Sequence, residues 1–186
     1  MLTVNFTPFP ELVTERLVLR RVTHADAPEI LFIRSDAQMM EYVKRPICAN
    51  MDEAIAFIDR VDGTIDSNDC ISWGICLRED RTKMIGTTAI WRLMKEHYRG
   101  ELGYALMTQY QGRGLMQEAL TAVLNYGFGT MGLHTIEANI DPGNTASQRV
   151  LERCGFVQEG YQRENYFYEG VFYDTACFAI LTPLKG

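Results

Sequence analysis

Gln109-Tyr110-Gln111-Gly112-Arg113-Gly114 places two glycines between an alternating run of residues and a helical one, where a helix first offers its backbone N–H groups. Those first N–H groups have no acceptor within the helix, and the helix dipole adds partial positive charge at the same place. Glycine removes the side chain that would hold a ligand off the main chain, and it accepts φ > 0. Gly112 and Gly114 therefore mark a cradle for an anion, and a pyrophosphate against the main chain suits it. The bland alternative is a tight strand-to-helix turn with no ligand.

The flanking elements give this turn its place. Residues 101–106 alternate Leu102, Tyr104 and Leu106 with Glu101, Gly103 and Ala105, the period of a strand with one apolar face. Leu115, Ala119, Val123 and Leu124 then recur at helical spacing. Upstream, residues 15–22 alternate as a strand with one wet face, and Thr23 with Asp26 opens a helix near His24. A short helical piece over 38–42 ends at Pro46. Asn50 and Glu53 cap a longer helix whose stripe Ala54, Phe57, Ile58, Val61 and Ile65 reads as core. Residues 70–78 and 84–93 read as a hairpin around EDRTK.

Downstream, Gly129 and Gly132 stop the helix, residues 134–140 form a strand, and Asn144 caps a short helix ended by Gly155. Residues 156–167 and 171–181 form a last hairpin around Tyr168-Glu169-Gly170, dense in Tyr and Phe, which suits a core or a homodimer contact. The order β α α β β β α β α β β, without repeat or linker, predicts one α+β domain over residues 1–186 with a mixed sheet.

Composition narrows the function. A chain of 186 residues, 47% hydrophobic and 23% charged, is long enough for one sizeable core. Its net charge of -6 argues against a nucleic-acid surface, which needs clustered Lys and Arg. The five cysteines include no C-x-x-C pair, and His24, His97 and His134 are isolated, so neither a disulfide framework nor a metal site is expected. No apolar run reaches the roughly 18 to 20 residues of a membrane span and no basic leader opens the chain, so a cytoplasmic protein is expected.

Three features occur together in order: Q-x-x-G-x-G at Gln109 to Gly114, N-x-x-S at Asn144 to Ser147, and VLERCGF at Val150 to Phe156. Together they resemble the GNAT superfamily of acetyl-CoA-dependent N-acetyltransferases. TERLVLR at the start, EGY after GFV, and Tyr173-Asp174 look like its subgroup of ribosomal-protein N-terminal acetyltransferases, a resemblance spanning residues 14–181. It implies a mostly antiparallel mixed sheet flanked by helices, which splays between the strand of Glu101 and the next one to admit acetyl-CoA. It implies that the pyrophosphate lies on N–H groups of Gln111, Gly112, Arg113, Gly114, Leu115 and Met116. The pantetheine would pair with backbone near Leu106, Met107 and Thr108, with Asn144 binding that arm and Ser147 near the thioester sulfur.

Direct acetyl transfer needs a base for the amine and a proton donor for the departing thiolate. Glu101, on the strand face opposite Leu102 and Tyr104, resembles the subgroup's base. Many members of the superfamily carry an acidic Tyr where this chain has Leu151, so Ser147 becomes the candidate acid or a group that orients the sulfur. Deprotonation at pH 7 costs roughly 1 kcal/mol for an α-amine and roughly 4 to 5 kcal/mol for a lysine, which favours an N-terminal α-amine over a lysine. An acidic chain also attracts cationic acceptors such as an aminoglycoside or a polyamine. The rival from another class is a silent acetyl-CoA sensor that keeps the glycines without turnover.

Overall fold

The computed structural model describes residues 1–183, and residues 184–186 of the expected domain lie outside the described residues. The strands are β1 (Leu12–Val13), β2 (Leu17–Arg20), β3 (Ile71–Leu77), β4 (Asp80–Met94), β5 (Arg99–Leu106), β6 (Thr135–Ile140), β7 (Val157–Tyr168) and β8 (Val171–Leu181). They form one sheet in the order β1-β2-β3-β4-β5-β6-β8-β7. The helices are α1 (Ala27–Ser35), α2 (Ala37–Met40), α3 (Met51–Asp66), α4 (Leu115–Asn125) and α5 (Thr145–Arg153).

Neighbouring strands run antiparallel except β5 and β6. That pair is parallel because the connection between them carries α4, and a helical crossover returns the chain in the same direction. Their pairing covers only Arg99↔Thr135, Gly100↔Ile136 and Glu101↔Glu137. Past Glu101, β5 continues to Leu106 with β4 alone, so the sheet opens in its middle as expected.

Each face of the sheet has its own core. Leu17, Leu19, Trp73, Ile75, Leu102 and Leu106 pack against Ala119, Leu120 and Val123 of α4. Leu120 is fully buried, and Leu120→Ala would cost about 2 to 5 kcal/mol by leaving a cavity. On the opposite face, Ile30 and Ile33 of α1 and Ala54 and Ile58 of α3 meet Cys76 and Met84. This second layer explains one departure from the sequence pattern: Val18, expected on a wet face, is buried beside its cross-strand partner Cys76.

Local chemistry sets the helix starts. Thr23 and Asp26 form the expected capping box, but the first turn over His24–Asp26 is a 3-10 turn and α1 begins at Ala27. Asp26 also accepts from Arg20 Nη2 at 2.6 Å and Nη1 at 2.8 Å, a buried pair that ties α1 to β2. Asn50 accepts from the Glu53 N–H at 3.0 Å, and the Glu53 carboxylate accepts from Ala49 N–H at 2.9 Å, so this box closes one residue early. The expected EDRTK turn shrinks to Arg78-Glu79, with Leu77 already paired to Asp80 and register shifts absorbing the difference. After α4 the chain makes a wide π turn over Tyr126–Thr130, where a Cβ on Gly127 would meet Ile136 Cδ1 at 2.8 Å.

The aromatic hairpin departs most from a core reading. Phe167 and Phe172 are each 59% exposed and lie against each other with centroids 4.8 Å apart and planes tilted by 51°, so these rings do not fill the core. β7 is the edge strand, and most of its residues are exposed.

Candidate active site

The two ends of the gap beside β5 are built differently. At the end of β5 the chain enters a short turn, with Tyr110 N–H donating to Met107 O at 2.9 Å and Gln111 N–H to Thr108 O at 3.1 Å. Gly112 and Gly114 both follow with φ 75. A Cβ on Gly112 would meet nothing within 4 Å, so the main chain there is open to a ligand. The first bond of α4 is Glu118 N–H to Gly114 O at 3.1 Å. The N–H groups of Gly112, Arg113, Gly114, Leu115 and Met116 have no acceptor among the described residues. Gln111 differs from that expected set: its N–H is spent on Thr108, and its Nε2 donates to Leu106 O at 2.8 Å.

Side chains brace this turn. Arg16 Nε donates to Glu118 Oε2 at 2.6 Å, Arg16 Nη1 donates to Arg113 O at 3.0 Å, and Thr14 Oγ1 donates to Glu118 Oε1 at 2.6 Å. Burial pushes the Glu118 carboxyl up, but the hydrogen bonds from Thr14 and Arg16 outweigh it and hold it below the ordinary range. The brace leaves Arg16 a cation beside the cradle, where an anion would sit.

The strand edge beside the gap is also defined. Met107 N–H donates to Ile85 O at 2.9 Å, so Met107 turns its donor to β4. By alternation Leu106 and Tyr104 turn their backbone groups to the gap. Of the three residues expected to pair with pantetheine, Met107 has its N–H and C=O both engaged, whereas the N–H of Leu106 faces the opening.

At the other end a cleft of about 1020 Å³ lies between the α1–α3 layer and the sheet, lined by Glu101, Tyr104, Asn144 and Ser147 among others. Glu101 is 9% exposed, and its Oε2 accepts from Arg92 Nη1 at 3.0 Å. Arg92 has φ 47 at the register shift between Trp91 and Met94, a left-handed bend that turns its side chain toward Glu101. Ser147 N–H donates to Asn144 Oδ1 at 2.9 Å, the N-cap of α5. The Ser147 hydroxyl is 2.6 Å from the Tyr104 hydroxyl. Burial pushes Tyr104 up to about 12 despite that bond, so the phenol keeps its proton at neutral pH. Thr88, the cross-strand partner of Tyr104, has a buried Oγ1 without a hydrogen-bond partner, a polar atom left available in the cleft wall.

Burial and the Glu101 carboxylate push the Cys177 thiol up, which disfavours a thiolate nucleophile in the cleft. Among the described residues no group of three or more His, Cys, Asp and Glu is placed to hold a metal ion. No helix among them is long and apolar enough to cross a membrane.

The sequence pattern of the acetyltransferase (GNAT) domain family matches residues 16–157. The chain belongs to that family. This acetyltransferase is 33% identical over 175 residues to the uncharacterized N-acetyltransferase YoaA of Bacillus subtilis (strain 168), covering 94% of this chain and 98% of that one. It is 35% identical over 105 residues to the ribosomal protein uS5-alanine N-acetyltransferase of Escherichia coli (strain K12), covering 56% of this chain and 54% of that one. A GNAT-family acetyltransferase structure from Bacillus anthracis superposes with TM-score 0.82 at 27% identity, over 92% of this chain and 98% of that one.

The structure of this acetyltransferase thus brings Glu101, Asn144 and Ser147 to one cleft, and holds the glycine cradle outside it beyond Leu106. Sequence reasoning missed Tyr104, counted there as one more apolar residue of a strand. Its signal was available, because a tyrosine in a buried stripe must find a partner for its hydroxyl. Arg92 gave no signal, since its left-handed bend arises from the slip of β4 against β5.

Proposed function

We propose that this N-acetyltransferase moves the acetyl group of acetyl-CoA directly to an N-terminal α-amine of a protein or peptide. The carrying observation is the carboxylate of Glu101 at the start of the gap, bound on one oxygen by Arg92 and lining an open cleft. Such a base suits an amine that is partly neutral near pH 7, and an α-amine is the primary amine of a protein that meets this condition. The kinship with an enzyme named for an alanine of ribosomal protein uS5 supports the same acceptor.

In this reading the donor's pyrophosphate rests on the N–H groups of Gly112, Arg113, Gly114, Leu115 and Met116, and the pantetheine arm pairs with the free edge of β5 at Leu106 and binds Asn144. The open space at Gly112, the unsatisfied N–H groups and the split sheet fit such a molecule. Glu101 accepts the amine proton, directly or through a water, as nitrogen attacks the thioester carbonyl. The thiolate leaves toward Ser147, whose hydroxyl can hand on a proton while Tyr104 replaces it through the 2.6 Å contact. Exchange with solvent in the open cleft then takes the proton from Glu101 and restores the one on Tyr104. The exposed β7–β8 hairpin, with Phe167 and Phe172, is the surface through which two copies would pair.

The test is acetyl-CoA consumption against peptides with varied N-termini, lysine peptides, polyamines and aminoglycosides, with calorimetric CoA binding alongside. Turnover on free N-termini, abolished by N-terminal blocking, is expected. Turnover confined to small amines would move the acceptor elsewhere, and CoA binding without any turnover would favour a sensor.

A further inference from the structure

The α1–α3 side of the cleft carries a charge pattern opposite to that of the whole chain. Arg34, Arg45 and Arg60 line it, and among the described residues none has a carboxylate within salt-bridge distance. The cleft carboxylates, by contrast, are mostly taken. Glu101 is held by Arg92, Glu137 by Arg99, Asp62 by Arg21 and Asp69 by Lys95. Asp141 faces Lys44, and Asp174 accepts from Tyr161 and from Glu164 N–H. Glu159, on the edge strand β7, is the lining carboxylate with no hydrogen-bond or ion-pair partner among the described residues.

Two aromatic rings hold the guanidinium groups in place. Arg34 Cζ lies 4.0 Å and Arg60 Cζ 5.3 Å from the Phe57 centroid. Arg45 Cζ lies 5.2 Å and Arg92 Cζ 4.3 Å from the Trp91 centroid. A guanidinium stacked on a ring has its plane fixed and its N–H edge free, the arrangement suited to a two-pronged bond with carboxylate or phosphate. Burial, then the like charges of Arg45 and Arg60, push the Arg34 guanidinium below its ordinary value, which shows how closely the cations stand. Gathering them costs free energy that a bound anion would offset.

The position of the group follows from the sheet. Trp91 is the cross-strand partner of Glu101, so Arg45 stands one aromatic ring away from the proposed base. We propose that the arginines Arg34, Arg45 and Arg60 select an acceptor whose primary amine is accompanied by an anionic group, carboxylate or phosphate, with the amine at Glu101. The cluster lies on the α1–α3 side and the glycine cradle at the start of α4, so the two anion sites serve different molecules. The inference rests on the acyl-transfer reading above, and it reverses the simple expectation that an acidic protein draws a cationic acceptor.

The test compares kcat/KM for peptides identical except for opening Ala-Asp-Asp, Ala-Asn-Asn or Ala-Lys-Lys, together with O-phosphoethanolamine and ethanolamine. Each is assayed with the parent enzyme and with the double variant Arg45→Gln, Arg60→Gln, whose fold is checked by thermal melting; both arginines are exposed. The acidic peptide should exceed the basic one by about tenfold or more, chiefly through KM, and the double variant should bring the ratio near one. Equal or better turnover of the basic peptide overturns the proposal and leaves the N-terminal reading intact. Turnover of O-phosphoethanolamine over ethanolamine, without turnover of any peptide, sinks the N-terminal reading and keeps the anion preference. A rise in the acetyl-CoA KM with an unchanged acceptor ratio would assign the arginines to the donor and overturn the proposal.

Discussion

The two ends of β5 are built by different means, one from main chain and the other from side chains. Beyond Leu106 the turn offers main chain: two left-handed glycines and a set of N–H groups freed by the start of α4. Around Glu101 the charged groups are side chains from β4, β5 and β6 together with α1 and α3, brought together by strand pairing and packing rather than by local spacing. A backbone site is indifferent to most substitutions but intolerant of any side chain at its glycines. The side-chain site can be retuned residue by residue, so it is where acceptor choice can change while the donor stays the same.

The largest separation of the two ends should come from Glu101→Gln. Removing the base is expected to lower kcat by about 100-fold or more. Calorimetric CoA affinity should stay within about twofold, because no part of the cradle touches Glu101. A kcat near the parent value would mean that the amine loses its proton elsewhere and that Glu101 is a structural partner of Arg92.

The complementary change is Gly112→Val. A branched side chain there fills the open space of the cradle, and CoA binding should weaken by about 100-fold. Its left-handed φ also costs about 1 to 2 kcal/mol of stability, so the change needs a control with similar strain. Gly170→Val supplies it: φ 83 in the β7–β8 turn, with nothing within 4 Å of an added Cβ. This control should lose stability and keep CoA affinity. Equal loss of affinity in both would show that strain, and not the filled cradle, explains the result.

The same contrast explains what the sequence could reveal. The glycine turn was legible because its parts lie within Gln109 to Met116, where glycine placement and helix onset are read from neighbouring residues, and the left-handed glycines and the start of α4 at Leu115 agree with that reading. The split sheet came from the family likeness, and the limited β5–β6 pairing agrees with it. The acceptor end was mostly hidden. Phe57 sat in a helical stripe that read as core, yet it is half-buried and carries Arg34 and Arg60 on its ring. Nothing in local spacing joins Arg45, on the loop after α2, to Trp91 on β4. For the aromatic hairpin the core half of the reading fails, because Phe167 and Phe172 show strand alternation but are exposed, while the homodimer half stays open.

A smaller effect probes the junction of the two ends. Ser147→Ala should reduce kcat by about tenfold if its hydroxyl passes a proton to the thiolate, with little change in either KM. The backbone N–H of residue 147 still donates to Asn144, so the cap of α5 survives the substitution. A loss confined to the acetyl-CoA KM would instead make Ser147 a binding group.

The smallest effect concerns stability at high pH and isolates Tyr104. Burial raises this phenol from 10.0 to about 12 in the folded protein. The unfolded chain therefore releases the proton first as pH rises, and the stabilising contribution, complete below pH 10, is lost as pH climbs toward 12. A shift of that size corresponds to about 2 to 3 kcal/mol across the window, of which about 1 kcal/mol should be lost by pH 11. Other buried groups, Tyr126 and Cys154 among them, are raised in the same direction, so the parent curve alone assigns nothing to one residue. The informative quantity is the stability difference between parent and Tyr104→Phe, measured by urea unfolding at pH 8 and at pH 11. It should shrink by about 1 kcal/mol at the higher pH, because the variant has no phenol to ionise when unfolded. A difference independent of pH would mean that the phenol titrates alike in both states and that burial does not hold its proton in the folded protein.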